Sequence, residues 1–360
     1  MSGLLCRPDM DDVRNRLTAW WNGGDIGRPV FRLYAPRPEP LEDIPIVPKP
    51  EGWTGRYSSA SFEYRVYLAQ RDCLGTYYLG EAVPTATPEM APGALALFLG
   101  CHGTEYTNTV WCEPCVTDPP ESTTFEIKPD NFYWNFCCRL AREFKRLGEG
   151  KWLVEIPDLV EGLDILASMR GTQEFLMDFY ERPEWIHHCM RQITDRFFQA
   201  YDVMYDLARD ETGGSTFWQW APGRMVKMQC DFSAMISPDM FGEFMVPVIK
   251  EITERTQHSL YHWDGPGALC HLDHLLSLPR LNMIQWVPGA GDEPSPSPKW
   301  WPYYHRIFDA GKKLFIGMEG GIDSLKAMRK EFGQQLNQVM FWHTTKTLKE
   351  AEEILAAAEK

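Results

Sequence analysis

A histidine and an aspartate two residues apart, His262 and Asp264 in the run YHWDG, are the side chains of this chain best placed to do chemistry. The segment 258–263 is a short apolar run bounded by a polar turn, which is the pattern of a buried strand. Asp264, Gly265, Pro266 and Gly267 form the turn that ends it. Behind the turn, Leu269, Leu272, Leu275 and Leu276 follow the three-and-four spacing of a helix face. Pro279 stops that helix, and 281–287 reads as a second strand. His262, Asp264 and Trp286 thus lie where the two strands of one strand–helix–strand unit end. In parallel α/β folds the carboxyl ends of strands carry the sites. An imidazole nitrogen beside a carboxylate oxygen suits a divalent metal, and the same pair can also serve as a buried hydrogen-bonded couple without one.

Other chemistry-bearing types are spread more widely. The 10 cysteines have no regular spacing and read as reduced thiols. Cys112 and Cys115 form a C-x-x-C, with Cys101 and His102 upstream, but no second pair follows to complete a four-cysteine zinc site. They read as two ordinary cysteines on a strand or its turn. Tryptophan is abundant, and Trp218, Trp220, Trp263 and Trp286, with Tyr261, fall near the proposed strand ends. They either fill a large core as bulky side chains or wall a substrate pocket for a flat or methylated ligand.

The elements that must position these residues alternate. A first amphipathic helix at 10–21 precedes a strand at 29–34, and a Pro- and Glu-rich connection occupies 35–55. A helix is expected at 61–73, short strands and loops from there to about residue 128, then an aromatic-rich helix at 131–147. From 152 onward strands and helices alternate six or seven times, with strands at 152–156, 215–220, 313–318 and 338–342 beside the two already described. Pro183 divides a long helical stretch, and Ser237 caps the helix of 238–256. This pattern predicts an α/β fold, a (β/α)8 TIM-type barrel: residues 1–150 as an N-terminal extension and cover packed on it, 151–360 as the barrel core. A net charge of −14 argues against a general nucleic-acid binder. No apolar run has the roughly 20 residues of a membrane helix, and the first residues lack the layout of a signal peptide. The expected compartment is the cytoplasm.

Several stretches taken together resemble the uroporphyrinogen decarboxylase superfamily, which includes corrinoid-linked methyltransferases. RLTAWWNGGDIGRPVF resembles the family's opening helix and strand, and LDILASMRGTQEFLMDFYERPEWIHHCMRQIT its central segment. CDFSAMISPDMFGEFMVPVIKEI resembles the decarboxylase stretch DSWAGLLSP..F.EF..P, and GMEGGIDSL its GN.DP..L turn. The methyltransferase branch holds zinc with a His-x-Cys-Gly element and a later Cys. Here the first reads His262-Trp263-Asp264-Gly265, and the second place falls at FWHTT, with His343. The resemblance therefore implies zinc, or another first-row divalent metal, on His262, Asp264 and His343. Cys230 takes the place of the decarboxylase Asp and is either an extra ligand or a core thiol. Asp231 beside it and Glu319 at another strand end are the candidate catalytic carboxylates.

A His and carboxylate set makes a harder, more Lewis-acidic site than thiolates do. That favours removing a methyl group from a small methylated substrate, a methoxylated aromatic or a methylamine, and passing it to a corrinoid. Because no cobalamin-binding segment is evident, the cobalamin is expected on a partner corrinoid protein. One alternative is a lyase acting on a carboxylated substrate through Arg28, Arg32 and Arg37. The other is a barrel that binds a ligand without catalysis.

Overall fold

The segment His258–Asp264 is a strand with its first four residues buried, because both its faces are covered. In the computed structural model, which describes residues 3–117 and 123–358, it lies inside a seven-stranded sheet. The strands are β1 (Val30–Pro36), β2 (Thr76–Gly80), β3 (Thr85–Ala86), β4 (His102–Glu105), β5 (Val110–Glu113), β6 (Leu153–Val154) and β7 (Ser215–Phe217). They continue with β8 (Gln219–Ala221), β9 (Met225–Gln229), β10 (His258–Asp264), β11 (Met283–Val287), β12 (Lys313–Gly317) and β13 (Val339–Thr344). The sheet runs β2-β1-β13-β12-β11-β10-β9. All its pairings are parallel except β1 with β2. Helices connect the parallel strands, as such crossovers require.

Three smaller pairings lie outside this sheet, β3 with β6 in parallel, and β4 with β5 and β7 with β8 antiparallel. Single hydrogen bonds tie the first and last of these to their neighbours. Ile156 N donates to Thr216 O at 2.9 Å, and Met225 N donates to the Ser215 hydroxyl at 2.9 Å.

The helical face of the sheet is packed with aromatic rings. Trp263 lies 4.5 Å from Trp286, which lies 4.8 Å from Trp300 on the next connection, ring centroid to centroid. The buried indole of Trp263 donates to Ala268 O at 2.7 Å. Each such ring removes a large apolar area from water, which explains the abundance of tryptophan without invoking a ligand.

Three expectations from the sequence need correction. Residues 1–150 are not merely a cover, because β1 pairs with β13 inside the sheet, Phe31 opposite Phe341. A core beginning at 151 would lack this strand. The strand expected at 215–220 is two short strands, because Trp218 adopts φ +56° and breaks the run. The helix expected at 238–256 is Pro238–Met240 and Val246–Arg255, joined by a wider π turn at Phe241–Met245. Among the described residues no helix is long and apolar enough to cross a membrane.

Candidate metal centre

Alternation along β10 sends His262 and Asp264 to one side and Tyr261 and Trp263 to the other. His262 pairs in register with Gln285 of β11, and its Nδ1 lies 2.5 Å from Gln285 Oε1. An amide oxygen accepts, so the proton sits on Nδ1 and Nε2 keeps its lone pair. Burial pushes the His262 pKa down, and the nearby Lys227 ammonium adds to this. The ring is held neutral, as a metal ligand must be. Asp264 Oδ2 lies 3.9 Å from that Nε2.

Asp231 supplies the third group. It opens the 3-10 turn Asp231–Met235 that follows β9, and Asp164 fixes the turn by accepting from Asp231 N and Phe232 N, each at 2.9 Å. Gln229 Nε2 bridges the two carboxylates, donating to Asp164 at 3.2 Å and to Asp231 at 3.1 Å. Ligand atoms of Asp231, His262 and Asp264 all lie within 4.8 Å of one another. Two oxygen or nitrogen ligands at ~2.1 Å from a tetrahedral ion lie ~3.4 Å apart. The side chains would therefore close by up to about 1.4 Å to hold one ion between them. Water reaches Asp231, yet enclosing walls, then Asp164 and Asp264, push its carboxyl up to about 7. A cation there would relieve that carboxylate crowding.

Behind this group stands a buried ion pair. Lys227 Nζ donates to both oxygens of Asp158, at 2.9 and 2.8 Å, and also reaches Gln229. Lys227 lies 5.4 Å from the ring centre of Trp218. Trp218 stands edge-on to His262, with centroids 5.8 Å apart, and donates its strained backbone N–H to Glu155. A cavity of about 560 Å³ opens beside Asp231, with Gln229, Asp164, Trp111, Cys112 and Met235 in its wall.

The structure thus gathers His262, Asp264, Asp231 and Trp218. His343 does not join them. It lies on β13, three strands along from β10, opposite Leu33, and belongs to no group of metal-ligating side chains found among the described residues. Glu319 is exposed after β12, and its carboxylate folds back towards Gly317. Cys230 is buried, outside the ligand group, with its thiol pushed up mainly by burial. Trp220 is buried elsewhere, its indole donating to Asp210 at 2.8 Å. Trp263, Trp286 and Tyr261 are buried as well, and for the first two the stack described above fills the helical side. None of these four walls the cavity. Proximity to a strand end could not reveal which face a ring takes.

Residues missed from the sequence are those that orient the ligands: Gln285, Gln229, Asp164, Asp158, Lys227 and Glu155. The turn Pro157-Asp158 after a strand was the one visible signal.

No family model matches the chain, and no curated protein matches it. Solved structures do. One is a methyltransferase from Methanosarcina mazei, superposing with a TM-score of 0.59 at 11% identity over 96% of this chain and 98% of that one. At that identity the likeness shows a shared fold along nearly the whole chain.

Proposed function

We propose that the protein is a metal-dependent methyltransferase that binds a divalent ion, zinc foremost, through Asp231, His262 and Asp264. The observation that carries this is the convergence of one bare imidazole nitrogen and two carboxylates beside a cavity. The fold shared with a methyltransferase supports the reaction class. The short pairings of β3, β6 and β7 favour closure of the sheet into a (β/α)8-type barrel, whose mouth this site would occupy.

When bound, the ion supplies Lewis acidity of a hard, oxygen-preferring kind. Its substrate would be a small molecule with a methyl on oxygen, and the acceptor a corrinoid carried by a separate protein. Gln285 holds the His262 tautomer, and Gln229 with Asp164 aims the Asp231 carboxylate. Trp218 offers an apolar edge next to His262. The lyase reading is weaker, because it needs several free guanidinium groups. Arg28 is paired with Glu81, and Arg37 donates to Thr76 O while stacking on Tyr77. Among the described residues only Arg32 of the three has a buried Nε without a partner.

The test combines metal analysis with a spectroscopic assay. Wild type should hold close to one ion per chain and His262→Ala should lose it. With the ion present, conversion of cob(I)alamin to methylcob(III)alamin should follow addition of a methoxylated aromatic. Equal metal content in both proteins would sink the site. Carbon dioxide release from a polycarboxylate, with no methyl transfer, would hand the function to the lyase reading.

A further inference from the structure

Three thiols outside the metal centre meet at the foot of the β4–β5 hairpin. Cys101 precedes β4, Cys112 lies on β5, and Cys115 follows it. Cys101 Sγ lies 3.5 Å from Cys115 Sγ, and the Cys112 thiol is near enough to Cys101 to influence its proton. They are not a metal site of the kind described above, because the three sulfurs do not form a mutually close ligand set. They are instead two possible pairs around one central sulfur.

Exposure separates their roles. Cys101 is buried and Cys115 exposed, so a small oxidant reaches Cys115 first and a second thiol waits beneath it. Hydrogen bonding from Cys101 pushes the thiols of Cys112 and Cys115 down, favouring the thiolate. Cys101 itself is pushed up by the same bonds and by burial, so it holds the shared proton until Cys115 is oxidised beside it. An exposed, thiolate-prone cysteine beside a resolving thiol is the arrangement of a redox-sensitive site.

We propose that Cys115 and Cys101 are a peroxide-reactive pair that closes to a disulfide at the edge of the cavity. The Cys115 thiolate attacks hydrogen peroxide: an S–O bond forms, the O–O bond breaks, and hydroxide leaves and takes up a proton. The sulfur is oxidised by two electrons to a sulfenic acid. The Cys101 thiol, giving up its proton, then attacks that sulfur. The S–S bond forms, the S–O bond breaks, and a second water leaves. Closure from 3.5 Å to a bond of ~2.05 Å needs a shift of about 1.5 Å, taken up by the exposed segment of Cys115.

The pair sits where it can influence the cavity. Trp111, Cys112 and Pro114 line it. Cys115 N and Val116 N both donate to Met169 O, at 2.8 and 2.9 Å, near the end of the helix Gly162–Arg170. That helix carries Asp164, which holds the Asp231 turn. The disulfide would therefore pin the hairpin wall to the segment anchored on this helix. The inference does not depend on the metal or the methyl transfer.

The test uses the full-length reduced protein, treated with hydrogen peroxide, then unfolded in urea, alkylated with iodoacetamide and digested without reductant. Mass spectrometry should find a Cys101–Cys115 linked peptide and loss of alkylation at both residues. In Cys101→Ser the sulfenic acid should persist and be trapped at Cys115 by dimedone. Exposed Cys270 is the internal control for oxidant exposure. Oxidation of Cys270 with Cys101 and Cys115 both still alkylated would overturn the proposal. A Cys101–Cys112 link in place of Cys101–Cys115 would overturn the assigned pair.

Discussion

The chemistry at His262 turns on a single hydrogen bond. Without Gln285 Oε1 to hold the proton on Nδ1, the imidazole could present either nitrogen, and the ring would lose its fixed angle. Partners of this kind typically carry a factor of about 10–100 in metal affinity. Gln285→Leu should therefore weaken zinc binding by about that factor, measured by competition with a chromogenic chelator, while Gln285→Glu keeps an acceptor and most of the affinity. Unchanged affinity in Gln285→Leu would mean that Nε2 is not a ligand. Lys227 belongs to the same scale. It is buried with Asp158, and removing one partner of such a pair costs about 3–5 kcal/mol because the other charge is left uncompensated. Lys227→Met should show that loss in urea unfolding. Adding Asp158→Leu should recover most of it, since neither charge of the pair then remains.

At the scale of elements, the break between β7 and β8 is the feature that positions the site. Trp218 takes φ +56°, a region that costs a non-glycine residue about 1–2 kcal/mol. Glu155, which also accepts from Thr87 at 2.7 Å, holds the Trp218 N–H in that conformation. The strain is offset by placing the indole edge-on to His262. Trp218→Ala loses the ring and keeps the strain, whereas Trp218→Gly loses the ring and relieves it. Glycine should therefore be the more stable variant by about 1 kcal/mol in thermal or urea unfolding, with both losing substrate affinity equally. An alanine variant as stable as the glycine one would show that the backbone there is not strained.

Across the whole molecule, the N-terminal helix is joined to the sheet through His258. This buried residue at the start of β10 lies 5.0 Å from the ring of Trp21. Burial, with Lys313 nearby, lowers its pKa to about 4 from 6.5. A histidine depressed in the folded state binds its proton more readily when unfolded, so stability rises with pH across that window. Its contribution is complete above pH 6.5 and is lost as pH falls towards 4. The span of the shift sets an upper bound of about 3.4 kcal/mol. His258→Phe, which keeps an aromatic ring against Trp21, should flatten the stability curve between those two pH values relative to wild type. Parallel curves for the two proteins would show that His258 is not buried neutral.

How much of this was legible beforehand depends on the range of the interaction involved. The strand ending at Asp264, the short helix Leu272–Ser277 behind it and the Ser237 cap follow from periodicity and turn residues, which act over a few neighbours. The 3-10 start at Pro266–His271 and the π turn at Phe241–Met245 do not. His262 and Asp264 could be singled out because a strand end is itself a local signal. Which residue joins them is a different matter. Asp231 arrives from β9 and Gln285 from β11, brought together by sheet order and register, while His343 stays apart on β13. The faces of Trp263 and Trp286 likewise depended on register, since a shift of one residue turns every side chain over. Sequence by itself determined the alternation of strands and helices and the residue types at the strand ends. Only the tertiary structure decided which of those ends meet, because pairing between strands distant in the chain is set by packing of the whole sheet and leaves no local mark.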